Sequence, residues 1–208
     1  MSSHNKHFYY GKYVFEVPPE VYEPAEDTLL ISKNLIVRRG ANVLDMGTGC
    51  GVLAVLAAEK ANKVVAVDIN PHAVVCAQRN AELNRVETKV EVRSGNLFGA
   101  VGAKEKFDLI LFNAPYLPVE QCEGGSWVEK AWAGGATGRV VIDEFINQAR
   151  KYLEDEGRIL LVQSSLSAVE ETLKTFGQHA LHAAVIAEEK LYFEKIVLIE
   201  AKKPPCEP

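Results

Sequence analysis

From residue 41 onward the sequence alternates short β-branched, apolar runs with segments of helical periodicity, and nothing else in the chain constrains its fold as strongly. Strands are expected at Asn42–Met46, Lys63–Asp68, Thr88–Ser94, Phe107–Phe112 and Gly157–Gln163. Helices are expected among them at Gly51–Lys60, Pro71–Leu83 and Val140–Leu153, with Ser167–Phe176 after the last strand. Asn70 before Pro71 reads as an N-cap followed by a first-turn proline, and Gly177 reads as a helix stop. Strands separated by helices require crossover connections, which are right-handed and build a parallel sheet flanked by helices. The rhythm breaks at the end. Leu181–Glu188 and Leu191–Ala201 are strand-like runs only a few residues apart, so they read as an antiparallel hairpin.

Before residue 41 the text is different. Six aromatics (Phe8, Tyr9, Tyr10, Tyr13, Phe15 and Tyr22) crowd into the first 22 residues. Gly11-Lys12 can turn a hairpin between His7–Tyr10 and Tyr13–Val17. Pro24 then opens a helix expected over Ala25–Ile36, with Glu26 and Asp27 suited to its first turn. Two readings of this segment stay open: packing on the sheet, or a cover over a ligand. With 208 residues, a single domain over 1–201 is expected, residues 1–40 being its cover and 202–208 a frayed tail.

The net charge of −5 argues against a protein whose affinity comes from coating nucleic-acid phosphates. No run approaches the roughly eighteen apolar residues of a membrane span, and no secretory signal is evident. Cysteines 50, 76, 122 and 206 form no C-x-x-C pair and no zinc-like spacing with histidine. They read as reduced thiols of a cytoplasmic protein, and no metal is expected.

The chemistry starts at Val43-Leu44-Asp45-Met46-Gly47-Thr48-Gly49-Cys50-Gly51, which runs from strand into helix. Glycines there let a ligand approach the backbone, and the helix start offers free N–H groups. A plain structural turn and a dinucleotide site are both live readings of a G-x-G pattern. Two neighbours narrow it. The spacing departs from G-x-G-x-x-G, and Asp45 places a carboxylate where an amine is welcome and a pyrophosphate is not. Asp68 ends the second strand, where a carboxylate can accept both hydroxyls of a ribose. An adenosine-bearing ligand with positive charge satisfies all three, and S-adenosyl-L-methionine is the expected cofactor.

After the fourth strand comes Phe112-Asn113-Ala114-Pro115-Tyr116, similar to the N-P-P-Y signature of methyltransferases acting on planar, conjugated nitrogens, with alanine for the first proline. Such a nitrogen has a delocalised lone pair and is a poor nucleophile. Asn113 Oδ1 and the Ala114 carbonyl can each accept one of its N–H groups and aim it at a sulfonium methyl. Tyr116 can pack against the flat acceptor. Orientation of this kind contributes roughly 7–11 kcal/mol in favourable intramolecular systems. Asn113, Ala114, Pro115 and Tyr116 are therefore the catalytic candidates. The bland alternative is a turn after a strand. Ala114 keeps the backbone carbonyl but frees one φ angle, which predicts a looser or slower enzyme.

With these residues in place the chain resembles the HemK-type protein glutamine methyltransferases. Tyr22-Glu23-Pro24-Ala25-Glu26-Asp27-Thr28 and Lys130-Ala131-Trp132-Ala133-Gly134-Gly135-Ala136-Thr137-Gly138-Arg139 are similar to segments of the archaeal and eukaryotic branch. The resemblance implies a Rossmann-like class I methyltransferase fold: α/β, with a seven-stranded, mostly parallel sheet, a C-terminal antiparallel hairpin and helices on both faces. It implies N-methylation of the glutamine amide in the Gly-Gly-Gln motif of a class I release factor. By matching position, Thr28, Asp45, Gly47, Gly49, Asp68, Asn96 and Leu97 would contact the cofactor, with Asn96 standing where an aspartate is usual. Asn113, Tyr116 and Trp132 would contact substrate. The branch also implies a small zinc-binding activator that extends a sheet edge, here strand Thr88–Ser94, unless Lys89, Glu91 and Arg93 blunt that edge. Loop Gly134–Arg139 has two readings: a flap with Trp132 as a wall, or a plain linker, through Gly138, into the helix starting near Val140.

Two other functions compete. An adenine N6-methyltransferase would use the same acceptor geometry, but a short acidic chain leaves little room for a basic recognition track. With Ala114 and Asn96 both off pattern, a non-catalytic cofactor-binding scaffold is the third reading.

Overall fold

The computed structural model describes residues 5–119 and 125–204. Cys122, Cys206 and the end of the expected tail, 205–208, lie outside the described residues. A hairpin of β1 (Lys6–Tyr10) and β2 (Tyr13–Val17) precedes helix α1 (Glu26–Lys33). Then β3 (Asn42–Met46), α2 (Val52–Ala58), β4 (Lys63–Asp68), α3 (Pro71–Leu83) and β5 (Val90–Ser94) alternate. A 3-10 turn at Leu97–Ala100 leads to β6 (Phe107–Asn113), α4 (Trp127–Trp132), α5 (Val140–Ala149) and β7 (Leu153–Ser164). The remainder is α6 (Val169–Gln178), β8 (His182–Lys190) and β9 (Lys195–Lys202).

Strands β3 to β9 form one seven-stranded sheet in the order β5-β4-β3-β6-β7-β9-β8. Pairing is parallel from β5 across to β7 and antiparallel for β7–β9 and β8–β9. This is the expected Rossmann-like sheet with its terminal hairpin. From β3 the chain moves outward through β4 to β5, then returns to lay β6 on the other side of β3. Right-handed crossovers in opposite directions put α2 and α3 on one face and α5 on the other. The reversal between β3 and β6 is a topological switch point, where a crevice opens at the carboxyl ends of the strands. The apolar core fills both sides of the sheet, with Leu44, Ile110, Leu111, Phe112, Phe145 and Leu160 fully buried.

The amino-terminal hairpin packs on helices rather than on the sheet. Phe15, Val17 and Val21 form a small second core with Val52, Val55, Ala73 and Cys76. Two asparagines one turn apart on α3 lock it there. Asn80 Oδ1 accepts from Glu16 N (2.9 Å), and its Nδ2 donates to the carbonyls of Glu16 (2.9 Å) and Cys50 (2.8 Å). Asn84 repeats the pattern on Val14, accepting its N–H at 3.1 Å and donating to its carbonyl at 2.8 Å.

Several boundaries differ from expectation. Strand β5 starts at Val90, because Thr88 and Lys89 belong to a turn in which Lys89 N and Val90 N both donate to Val86 O. Helix α1 stops at Lys33, where the Asn34 side chain folds back onto the Leu30 carbonyl at 2.8 Å. Helix α5 tightens into a 3-10 turn at Arg150–Tyr152, and Leu153 already pairs with Phe107 in the sheet. Gly177 is no stop: α6 runs through it, and Ala180, at φ +54°, takes the left-handed position. Lys202, assigned to the tail, closes β9 opposite Arg158 and His182. Helix α4 was not foreseen; it opens on a capping box between Ser126 and Glu129.

Candidate active site

One cleft lies at the switch point. Its walls include Gly47 and Gly49 after β3, Asp68 ending β4, Asn96 and Leu97 after β5, Asn113–Tyr116 after β6, and Thr28 and Trp132 from outside the sheet. The strand ends thus bring together every expected site residue except Asp45.

The glycine loop is shaped for this approach. Gly51 caps α2 at φ +86°, an angle that favours glycine, and a Cβ there would sit 3.2 Å from Ala77, a tight contact that would push α2 and α3 apart. Gly49 N donates to Asp68 Oδ2 at 2.8 Å, while Asn70 N donates to Asp68 Oδ1 at 2.9 Å. Each carboxylate oxygen keeps a free lone pair for a ligand hydroxyl. Burial pushes the Asp68 pKa up, and the backbone donors oppose it. Asn70, the expected N-cap, accepts from His72 N at 2.9 Å and reaches Glu20 O at 2.8 Å, anchoring the segment that supplies Val21 and Tyr22 to the wall.

Asp45 lies under the loop and not on the cleft wall. Its Oδ2 accepts from Thr48 Oγ1 at 2.6 Å, and its Oδ1 is buried without a partner. Burial pushes its pKa up to about 7. Its expected contact with an amine is therefore not direct; Thr48, on the wall, stands between. Asn96 is exposed, and Leu97 is held at φ +44°, a strained angle for leucine that marks the wall beside the cleft.

At the end of β6, Asn113 turns Nδ2 toward Thr28 Oγ1 (3.4 Å), and its Oδ1 is buried with no hydrogen-bond partner. Tyr116 is buried, and its hydroxyl donates to Asp27 Oδ2 at 3.2 Å. Tyr22 donates to the same oxygen at 3.2 Å. Both tyrosine pKa values are raised, by burial first and then by the charge of Asp27. Trp132 closes the outer wall, its carbonyl accepting from Leu117 N at 2.8 Å.

Asp27 and Tyr22 were not singled out as site residues. Asp27 was read as a first-turn charge of a helix, yet it is only 5 % exposed. The signal was there: Asp27 stands three and four residues before Leu30 and Ile31, on the buried stripe of α1. Nor is 134–139 an unattached flap. Gly134 N donates to Leu117 O (2.9 Å), Val119 N to Gly135 O (3.0 Å), and a side chain on Gly138 would run into the Tyr116 carbonyl. Arg139 is buried and donates to Ser167 O (3.0 Å), Ala168 O (2.9 Å), Thr172 Oγ1 (2.7 Å) and Asp143 Oδ1 (2.5 Å). Ser167 Oγ in turn donates to Tyr116 O at 2.5 Å. The loop buttresses the acceptor motif.

Comparison with known proteins agrees with this geometry. The family described as ribosomal protein L11 methyltransferase (PrmA) matches residues 28–117, the stretch that carries the glycine loop and the acceptor motif. A protein of Methanocaldococcus jannaschii assigned as a protein N5-glutamine methyltransferase is 40% identical over 185 residues, covering 88% of this chain and 92% of its own. Methyltransferase HEMK2 of Mus musculus is 36% identical over 172 residues, covering 78% and 80%. Among solved structures, the Mtq2-Trm112 complex of E. cuniculi, responsible for methylation of the eRF1 termination factor, superimposes with a TM-score of 0.70 at 22% identity. It covers 89% of this chain and 99% of the matched one, and shows the same fold. By sequence, by sheet order and by the residues around its cleft, the chain belongs to the HEMK2-type family of protein N5-glutamine methyltransferases.

Proposed function

We propose that this enzyme methylates the side-chain amide nitrogen of a glutamine, that of a class I translation release factor, using S-adenosyl-L-methionine. The observation that carries the reading is the buried, unpartnered Asn113 Oδ1 in the cleft wall. Burying a carbonyl oxygen without a donor costs about 1–3 kcal/mol, a cost removed when a substrate N–H arrives. The relatives' names supply the substrate class, and the cleft supports the cofactor: Asp68 has lone pairs to spare for ribose hydroxyls, and Gly49 leaves open space beside it. When bound, the cofactor supplies an electrophilic sulfonium methyl.

The protein's own part is orientation. Asn113 Oδ1 accepts one amide N–H and the Ala114 carbonyl accepts the other, which turns the nitrogen's π-face toward the methyl group. Tyr116, clamped by Asp27 and Ser167, limits the tilt of the amide plane. Held by the glycine loop and Asp68, the cofactor would supply the methyl group to that nitrogen and leave as the neutral thioether, and water would take the proton that the nitrogen releases. A protein substrate also suits the charge of −5, which repels a phosphate backbone.

Incubation with radiolabelled S-adenosylmethionine and a release factor should place label on the Gly-Gly-Gln glutamine. Label on adenine-bearing nucleic acid instead would overturn the reading. Asn113→Ala should abolish transfer while calorimetry shows cofactor affinity within about twofold of the parent, as expected for a group that contacts only substrate. Lost cofactor binding would remove Asn113 from the acceptor role.

The edge strand supports a partner as well. Val64 N donates to Lys89 O and Gly95 N to Asp68 O, so the backbone groups of Lys89, Glu91, Arg93 and Gly95 face β4, while the Val90 carbonyl and the backbone groups of Val92 and Ser94 face outward. The edge charges do not guard that row. Lys89 folds back to Ala58 O (2.9 Å), and Glu91, held near pKa 2 by Arg93, pairs with Arg93 (2.7 Å) and Lys63 (2.5 Å). A small activator, zinc-binding in the resembling branch, is placed by this reading along β5.

A further inference from the structure

The hydrogen bonds behind Asn113 run in one direction. Thr28 Oγ1 donates to Asp27 Oδ1 at 3.2 Å and accepts from Asn113 Nδ2 at 3.4 Å. A hydroxyl carries a single hydrogen, so once that hydrogen is committed to the carboxylate, only lone pairs face Asn113. Of the two ends of the Asn113 amide, only Nδ2 can then turn toward Thr28. Oδ1 must point the other way, and there it is buried without a partner.

The direction is set at Asp27. Its Oδ1 receives Thr28 N at 2.5 Å as well as the hydroxyl, and its Oδ2 receives Tyr22 and Tyr116. Four donors converge on it, and among the described residues no cation pairs with it.

We infer that Asp27 and Thr28 are positioning residues for methyl transfer: they fix the flip of the Asn113 amide, so that an acceptor and not a donor meets the substrate nitrogen. The inference rests on the reading of Asn113 as the acceptor of a substrate N–H. The two flips of an asparagine amide have nearly the same shape, so packing alone cannot choose between them. The wrong flip sets N–H against N–H. The relay gives Thr28, expected at the cofactor, a contact with Asn113.

Thr28→Val keeps the shape and removes the relay, whereas Thr28→Ser keeps the hydroxyl. With release factor as substrate, Thr28→Val should lower kcat about tenfold to hundredfold, the scale of a small misplacement at a reacting centre. Cofactor affinity by calorimetry should stay within about twofold, and Thr28→Ser should restore most of the rate. A parent-like kcat in Thr28→Val, or cofactor affinity falling in step with kcat, would overturn the relay. A second readout needs no substrate. The Asn113 side-chain amide resonance, assigned by its loss in Asn113→Ala, should show a slowly exchanging hydrogen in the parent and in Thr28→Ser but not in Thr28→Val. Should the parent transfer no methyl group, the proposed function falls, and the amide resonance alone then decides the relay.

Discussion

Beneath the glycine loop, Asp45 takes one hydrogen bond from Thr48, three residues on, and its other oxygen is buried without a partner among the described residues. Burial raises its pKa from 3.8 to about 7, so between those values the folded chain binds a proton that the unfolded chain does not. Stability is then highest below pH 4 as far as this group is concerned, and it is lost as pH rises through about 7. Asp45→Asn should flatten the fall in Tm between mildly acidic and neutral pH, read by thermal unfolding without ligand. The amplitude is at most a few kcal/mol, and an unchanged pH profile would show that the group does not titrate there. At this scale the sequence was legible where a residue's own chemistry marks its place, and Asn113 and Asp68 both reach the cleft. It was not legible where the role depends on direction. Asp27 has the composition of a helix-start charge and the position of a core residue, and only its spacing to Leu30 and Ile31 separates the two.

Elements were readable to the extent that their ends carry a chemical signal. Asn70-Pro71 fixed the start of α3, and the bounds of β3 and β4 follow from strongly apolar runs closed by polar residues. The errors fall where two signals compete. Thr88 is β-branched and suits a strand, but the chain has just left α3 through Arg85, at φ +60°, and the turn back to the sheet uses it. Gly177 suits a stop, yet Leu181 N reaches back to Phe176 O only if the helix runs on and Ala180 reverses the chain. The hairpin's seat on α3 had no sequence signature beyond two asparagines four residues apart. Asn80→Ala removes four hydrogen bonds, one of them to the carbonyl of Cys50 at the base of the glycine loop. It should cost about 1–3 kcal/mol of unfolding free energy by denaturant titration. Hydrogen exchange should then rise first in residues 13–17 of β2. A loss spread evenly over the sheet would show that the asparagine serves the core and not the hairpin.

For the whole molecule, the sheet with the helices and hairpin packed around it accounts for nearly all of the described chain, and one edge of the sheet, β5, is left with outward-facing backbone groups between internally neutralised charges. Val92 faces its N–H outward. Val92→Pro removes that donor without breaking a bond to β4, the setting in which an edge strand tolerates proline. Co-purification with the activator and its stimulation of transfer should both be lost, while the chain alone keeps its fold by circular dichroism. Retained stimulation would place the partner elsewhere. That such an edge exists was readable from the strand order implied by the helix alternation; that its charges turn inward was not, because pairing such as Glu91–Lys63 requires the folded register. The cofactor wall and the acceptor wall also differ in how they are assembled. The first is built mainly from residues 46–97, close neighbours along the chain. Tyr116 is held from 89 residues upstream by Asp27 and from 51 residues downstream by Ser167. The acceptor wall therefore closes long loops, and long-range closures are the slow part of acquiring a fold. Tyr116 thus takes its position from both sides of the sequence, so a cut near either end of the chain loosens the acceptor motif before it removes any residue of the motif itself.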